Sequence, residues 1–413
     1  MMTRWMGLAV IGALLGQGVV RAQCCGGAPC CGGVTPSPVG AARMPEPMPC
    51  AAMPNLIEGP ITPGQAPPGP PPELSLPANH TGAFQCDNYA EEFACYVGLG
   101  GVAWQRSKMG HLPLAVLDQQ APPHTGLDTG ALPPHNSPVL LDAAQVSEHY
   151  NLAPALTFGV DWGAQEFLEV SAWYLPQNHG QANAVRRGEV DGLFGSQTPF
   201  GFSGDNGMWL QADIMTVRRE STTGNIEANY RRDNPALLGS ELLLGLRFMY
   251  IDETFQYYTG DDDLTFRSVQ GLPDPRREAF YTVRGLNRLV IPQAGFEWDY
   301  LIWKFISFGV QGKAGFGADF VQETHTLTRG DGFVGFRNVR NEILPTGLVE
   351  FGAWLEIGNT ERFRFRVGYE ALYLLGICMP EDGFSYNLRV HDTLNNHGSC
   401  LYQGPMLELQ FLF

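Results

Sequence analysis

The stretch "ERFRFRVGYEALYLL" at residues 361–375 restricts the fold more than any other part of this sequence. Arg362, Arg364 and Arg366 alternate with Phe363, Phe365 and Val367, and Glu370 sits between Tyr369 and Ala371. A period of two is that of a β-strand, whose successive side chains point to opposite faces. Two environments accept a strand with one charged and one apolar face. A soluble sheet buries the apolar row and turns the charges to water. A membrane barrel turns the apolar row to lipid and the charges into its lumen.

Export comes first in choosing between them. Arg4 makes a short basic start, residues 6–20 form an apolar run, and Val20-Arg21-Ala22 fits a small-residue cleavage site. Residues 1–22 therefore read as a secretory signal, cut after Ala22. The apolar run is shorter than the roughly 20 residues that span a bilayer as a helix. No later stretch offers 18 uninterrupted apolar residues. A chain that enters a membrane without such a stretch does so as a closed β-barrel. Residues 23–85, with "CCGGAPCCGG" and "GQAPPGPPPELSLP", carry no apolar periodicity and read as a disordered Cys/Pro/Gly-rich tether. The barrel is expected over 86–413.

Within that region alternation predicts ten strands, at 93–105, 151–162, 167–176, 207–230, 237–258, 279–300, 303–328, 343–357, 362–376 and 401–413. Short connections ("GAQE" at 163–166, "RDNPA" at 232–236, "YLI" at 300–302, "GNTE" at 358–361) alternate with long ones at 106–150, 177–206, 259–278, 329–342 and 377–400. Short turns on one side and long loops on the other characterise an outer-membrane barrel, and a soluble sandwich has no reason to sort its loops so. An even count puts both ends of the barrel at the short-turn, periplasmic side.

The faces agree. Leu242, Leu244, Leu246, Phe248 and Tyr250 share one face, while Glu241, Gly245 and Arg247 share the other. Farther on, Ile306, Phe308, Val310, Ala314, Phe316 and Phe320 oppose Ser307, Gly309, Gln311, Lys313 and Asp319. In "GPMLELQFLF", Leu407, Leu409, Phe411 and Phe413 form an apolar row opposite Glu408 and Gln410. An alternating segment ending in an aromatic matches the signal read by barrel-assembly machinery. Lumen charges need partners. Glu350 and Glu356 precede the arginines and Glu408 and Gln410 follow them, so a charge ladder is expected, with Arg362 near Glu356 and Arg366 near Glu408. A one-residue slip would turn the arginines to lipid, at roughly 2–4 kcal/mol each near the midplane.

The runs "LLGSELLLGLRFMYIDETFQY", "TVRGLNRLVIPQAGFEWDY" and "KFISFGVQGKAGFGADFVQETHTL" resemble the planctomycete family of outer-membrane β-barrel, porin-like proteins. The likeness lies in the spacing of Gly245, Arg247, Phe248, Ile251 and Glu253, then of Asn287, Gln293, Gly295 and Glu297, then of Lys313, Ala314 and Gly317. It covers roughly residues 90–413. The resemblance implies an outer-membrane barrel and no particular substrate.

Candidate chemistry is sparse. The sequence holds no G-x-S-x-G, no H-E-x-x-H and no P-loop. His111, His124, His135 and His149 are scattered through one long loop, and "GDDDL" at 260–264 lacks the spacing of a calcium loop. No metal and no cofactor is expected. The net charge of −16 argues against nucleic acid, which needs clustered Lys and Arg. Nine cysteines in an exported chain suggest disulfides, with Cys378–Cys400 across the last long loop and Cys86–Cys95 as candidates. The favoured reading is a non-enzymatic outer-membrane barrel, a narrow channel or a structural envelope component. The alternatives are a surface protein binding a partner through loops 106–150 and 177–206, and, more remotely, a lipid-modifying barrel enzyme.

Overall fold

The computed structural model describes residues 95–117, 137–161, 166–194, 198–202, 208–234, 240–261, 274–360, 362–388 and 398–413. The chain divides into Met1–Pro72 and Glu73–Phe413, and everything described belongs to the second unit. The signal, the tether, Cys86, His124, His135, Asp262 and Asp263 lie outside the described residues.

Twelve strands are described: β1 (Cys95–Arg106), β2 (Pro113–Leu117), β3 (Val139–Asp142), β4 (Asn151–Asp161), β5 (Glu166–Gly192), β6 (Ala212–Asp233), β7 (Ser240–Gly260), β8 (Ala279–Trp303), β9 (Ile306–Arg329), β10 (Val334–Thr360), β11 (Phe363–Ile377) and β12 (Gly398–Leu412). Ten of them form a closed antiparallel ring in the order β5-β4-β1-β12-β11-β10-β9-β8-β7-β6, with β6 returning to β5. β1 and β12 meet from Tyr96↔Leu412 to Arg106↔Tyr402, so the first and last strands close the barrel. The fold is an antiparallel up-and-down β-barrel of ten strands. Closure leaves no sheet edge around the ring where its strands overlap.

The outer surface shows where the alternation comes from. On β7 the outward residues Leu242, Leu244 and Leu246 are exposed, as are Phe316 and Phe320 on β9, Ile343, Val349 and Phe351 on β10, and Leu407 and Phe411 on β12. Leu244 is 61% and Phe316 70% accessible, values a water-facing surface rarely repeats around a whole ring. Aromatic side chains flank this belt. Tyr300, Trp303, Phe305 and Phe413 lie exposed on the short-turn side, and Tyr174 and Tyr373 on the other.

Three sequence expectations need correction. The interval 177–206 is not a loop throughout, because β5 continues to Gly192 and pairs with β6 as far as Val190↔Ala212. The interval 329–342 is not a long loop either: β9 and β10 extend until only Gly330–Phe333 connects them. The loop 106–150 contains β2 and β3, and β2 pairs with the far end of β5. The cause is common to all three. Beyond the belt the ladders continue with polar residues outside, so an apolar outer face no longer marks the strand.

Candidate functional site

The lumen is the place where this chain concentrates its polar chemistry, and it is filled in layers. Nearest the short-turn rim, Arg231 on β6 pairs with Glu169 at 2.7 Å and Glu241 at 2.8 Å, and also with Glu297. Arg366 pairs with Glu356 at 2.8 Å and reaches Glu297 at 3.7 Å, its guanidinium lying 5.2 Å from the Trp354 ring centre. Arg364 lies 3.6 Å from Glu356. One step deeper, Arg247 and Lys313 share the same two carboxylates. Arg247 meets Glu350 at 2.6 Å and contacts Glu227, while Lys313 meets Glu227 at 2.8 Å and Glu350 at 3.0 Å. Gln293 donates to Glu227 and Asn229. These groups come from seven strands, β5 to β11, so the network ties the ring across its own bore.

Next comes an apolar layer. Trp104, Leu175, Met249, Ile251, Leu289, Ile291, Leu348, Leu372, Leu374 and Tyr402 are buried together. Above it lies a second polar layer that holds inserted segments of chain. Arg106 on β1 bonds Glu253 on β7 at 3.0 Å and Glu381 on the segment after β11 at 3.1 Å. Arg219 on β6 pairs with Glu148 on the segment before β4. Burial pushes the Glu148 carboxyl up to about 7 even though Arg219 pulls it the other way.

The topmost layer is a core of soluble type. The segment after β11 turns inward at Gly376, whose φ of 69° lies in the left-handed region that favours glycine. Asn287 then brackets the Cys378 backbone, accepting from its N–H and donating to its carbonyl, both at 2.9 Å. This delivers Phe384 into a cluster with Tyr281 at 5.1 Å, Phe194 at 5.5 Å, Phe255 at 5.6 Å and Tyr257 at 5.9 Å between ring centres. Leu114, Leu141, Val146, Phe202 and Trp209 complete it, so the segments around β2 and β3 also pack inward.

Most sequence-predicted lumen residues are where alternation put them. Arg364, Arg366, Glu350, Glu356, Glu241, Arg247, Gln311, Lys313 and Asp319 lie on inward positions, and so do Glu370, Glu408 and Gln410. Leu407, Leu409, Phe411 and Phe413 face outward, and Phe413 exchanges backbone hydrogen bonds with Cys95. Arg366 does lie opposite Glu408, and opposite Glu356 on its other side. Arg362 does not partner Glu356. It is exposed in the turn before β11, because β10 runs on to Thr360 with a register shift after Ile357, and Arg366 takes the position opposite Glu356.

Cys378 and Cys400 are free thiols, not a disulfide. Cys400 lies in the apolar layer of the bore, whereas the inward turn at Gly376 carries Cys378 away to Val321 and Leu344. Burial pushes the Cys378 thiol well above its ordinary value. Cys95 is also free. Among the described residues no group of three His, Cys, Asp or Glu side chains could hold a metal ion directly.

Sequence reasoning missed Arg231, Glu227 and Glu169 and the clamp residues Arg106, Arg219, Glu148 and Glu381, and it gave Glu253 and Glu297 no role in the lumen. The β6 signal was present: Asn225, Glu227, Asn229 and Arg231 alternate with Ile226, Ala228 and Tyr230.

No protein-family model matches the chain, and no curated protein matches it. Among solved structures it is similar to the outer membrane protease OmpT from Escherichia coli, with 12% identity over 78% of this chain and 96% of that one, at a TM-score of 0.36. The translocator domain of the autotransporter NalP from Neisseria meningitidis shows 9% identity over 79% and 90%, at a TM-score of 0.31. The toluene transporter TodX from Pseudomonas putida shows 7% identity over 78% and 89%, at 0.28. At such scores the neighbours' activities say nothing about this chain.

Proposed function

We propose that this chain is a non-enzymatic outer-membrane β-barrel with a closed bore, a structural component of the cell envelope. One observation carries the reading: an apolar outer belt encircles a ring whose interior is filled by its own ion pairs and inserted segments. The belt on β7 runs over nine residues from Leu242 to Tyr250, in keeping with the roughly 9–11 residues of a tilted membrane strand. Its partners are outer-membrane lipid and the machinery that inserts barrels, which would read the Leu407–Phe413 row. The short turns then face the periplasm, the side from which an exported chain arrives. Membership of the planctomycete porin-like family is part of the same proposal. Ten strands sit near the size at which interior side chains fill a barrel, which supports a structural role over a wide pore. Interaction through the long loops is less favoured, because much of 106–150 and 177–206 is spent on strands and inward packing.

The test is fractionation followed by solute entry. The protein should sediment with outer membrane, show heat-modifiable mobility on a gel, and leave liposomes unswollen in small sugars. Recovery in the soluble periplasm would remove the membrane reading, and rapid swelling would remove the closed bore.

A further inference from the structure

The charged layer of the bore does not balance. A cavity of about 100 Å³ lies within it, lined by four cationic side chains, Arg231, Arg247, Lys313 and Arg366, and by six glutamates. All four cations are taken up in the ion pairs described above. Glu370 and Glu408 line the same cavity and belong to none of the ion pairs among the described residues. Glu408 accepts a hydrogen bond from Gln410 at 3.1 Å. The ladders place few side-chain donors beside them. Glu370 is flanked across the ladders by Gly352 on β10 and Gly404 on β12, and Glu408 by Gly100 on β1 and by Arg366 on β11, whose guanidinium is engaged with Glu356. Glycine has no side chain, so the glycine positions offer the two carboxylates no side-chain donor.

A separate feature points into the same space. Asn225 lines the cavity, is 6% exposed, and its Oδ1 has no hydrogen-bond partner. Two carboxylates and a carboxamide oxygen are hard oxygen donors, the set that hard divalent cations take. Two buried carboxylates without an ion pair of their own favour a further counter-charge, and one divalent ion supplies it. At roughly 10–15 Å³ per water on this measure, the cavity has room for an ion with part of its hydration shell. A smaller cavity of about 30 Å³ shares Arg231, Glu297, Arg366 and Gln410 with it and includes Tyr96 and Leu412 toward the short-turn end.

We propose that the bore binds one hydrated divalent cation, Mg²⁺ or Ca²⁺, between Glu370 and Glu408, with the Asn225 oxygen as a further contact. No three acidic groups converge on one point among the described residues, so the ion keeps most of its water and binds through one or two carboxylates. The site neutralises Glu370 on β11 and Glu408 on β12, the two cavity glutamates outside the ion pairs.

Trp173 and Trp354 line the cavity, so terbium(III) serves as the probe. Folded protein in detergent should give saturable tryptophan-sensitised Tb³⁺ emission that Ca²⁺ or Mg²⁺ displaces. Glu370→Gln with Glu408→Gln should weaken Tb³⁺ binding by about tenfold or more, a size typical of lost ligand support. Glu370→Gln alone, checked for folding by heat-modifiable mobility, covers the case in which the double variant does not assemble. Absence of saturable emission from the wild type, or unchanged binding in folded Glu370→Gln, would overturn the site. A thermal midpoint that ignores Ca²⁺ and Mg²⁺ would overturn it too, by showing that neither ion binds the folded barrel in preference to the unfolded chain. None of these readouts depends on whether the barrel conducts.

Discussion

On β7, the residues from Leu242 to Tyr250 and those from Ile251 to Thr259 follow the same alternation with opposite meaning. In the first half Leu242, Leu244, Leu246 and Phe248 point out, while Gly245 and Arg247 point in together with Leu243 and Met249. In the second half Asp252, Thr254 and Gln256 point out, while Ile251, Phe255 and Tyr257 are buried inside. β8 repeats the inversion, with Phe296, Ala294 and Pro292 outward below and Leu289, Val283 and Tyr281 inward above. The solvent outside dictates the switch. Hydrocarbon outside leaves the bore as the place for charges, and water outside leaves the bore as the place for a hydrophobic core. One barrel thus has a lower half built as a membrane protein and an upper half built as a soluble one.

If the lower half is held by charge, its most costly lesion is electrostatic. Arg247→Met should destabilise the barrel by about 3–5 kcal/mol, because Glu227 and Glu350 would keep Lys313 as their remaining shared partner from this pair of cations. The readout is the urea midpoint of the heat-modifiable form, and a loss below 1 kcal/mol would mean the network is not structural.

The upper half should fail through packing instead. Phe384→Ala removes the ring at the centre of the aromatic cluster and should cost about 3 kcal/mol. Hydrogen exchange ought to accelerate in 378–388 and 143–150 while the belt strands stay protected. Acceleration spread evenly over both halves would erase the distinction.

Acidity sharpens the same contrast. Burial pushes Glu148 up to about 7 and Asp261 up to about 6, from a usual carboxylate range near 4–4.5. A carboxyl with a raised folded value binds its proton more tightly when folded, so stability rises as pH falls through 7 and levels off near 4.5. Hydrogen exchange of 143–150, corrected for intrinsic rate, should therefore slow between pH 8 and pH 5. Faster exchange over that range would reverse the sign. The smallest effect belongs to the outer surface of the upper half. Arg284→Gln breaks an exposed pair with Asp252 and should shift the midpoint by less than about 1 kcal/mol.

Legibility followed the lipid boundary. Ten ring strands and the inward set around Arg247, Lys313, Glu350 and Arg366 were readable, because lipid outside makes the apolar face continuous and the other face diagnostic. The extensions of β5 and β10 and the pair β2–β3 were not, because their outward residues are polar and their apolar residues serve an interior that only tertiary structure reveals. The clue was in plain view on β7, where apolar residues pass from even to odd positions at Ile251. Arg362 was misplaced because β10 continues through the expected turn to Thr360, with a register shift that alternation does not reveal. The Cys378–Cys400 disulfide was misjudged because loop length says nothing of the inward turn at Gly376.

The central claim is that this ten-stranded ring is stopped by its own side chains and inserted segments. Conductance of the purified, refolded protein in a planar bilayer tests it most directly. The filled bore predicts insertion without stepwise current. Regular, long-lived current steps from the wild-type protein would contradict it.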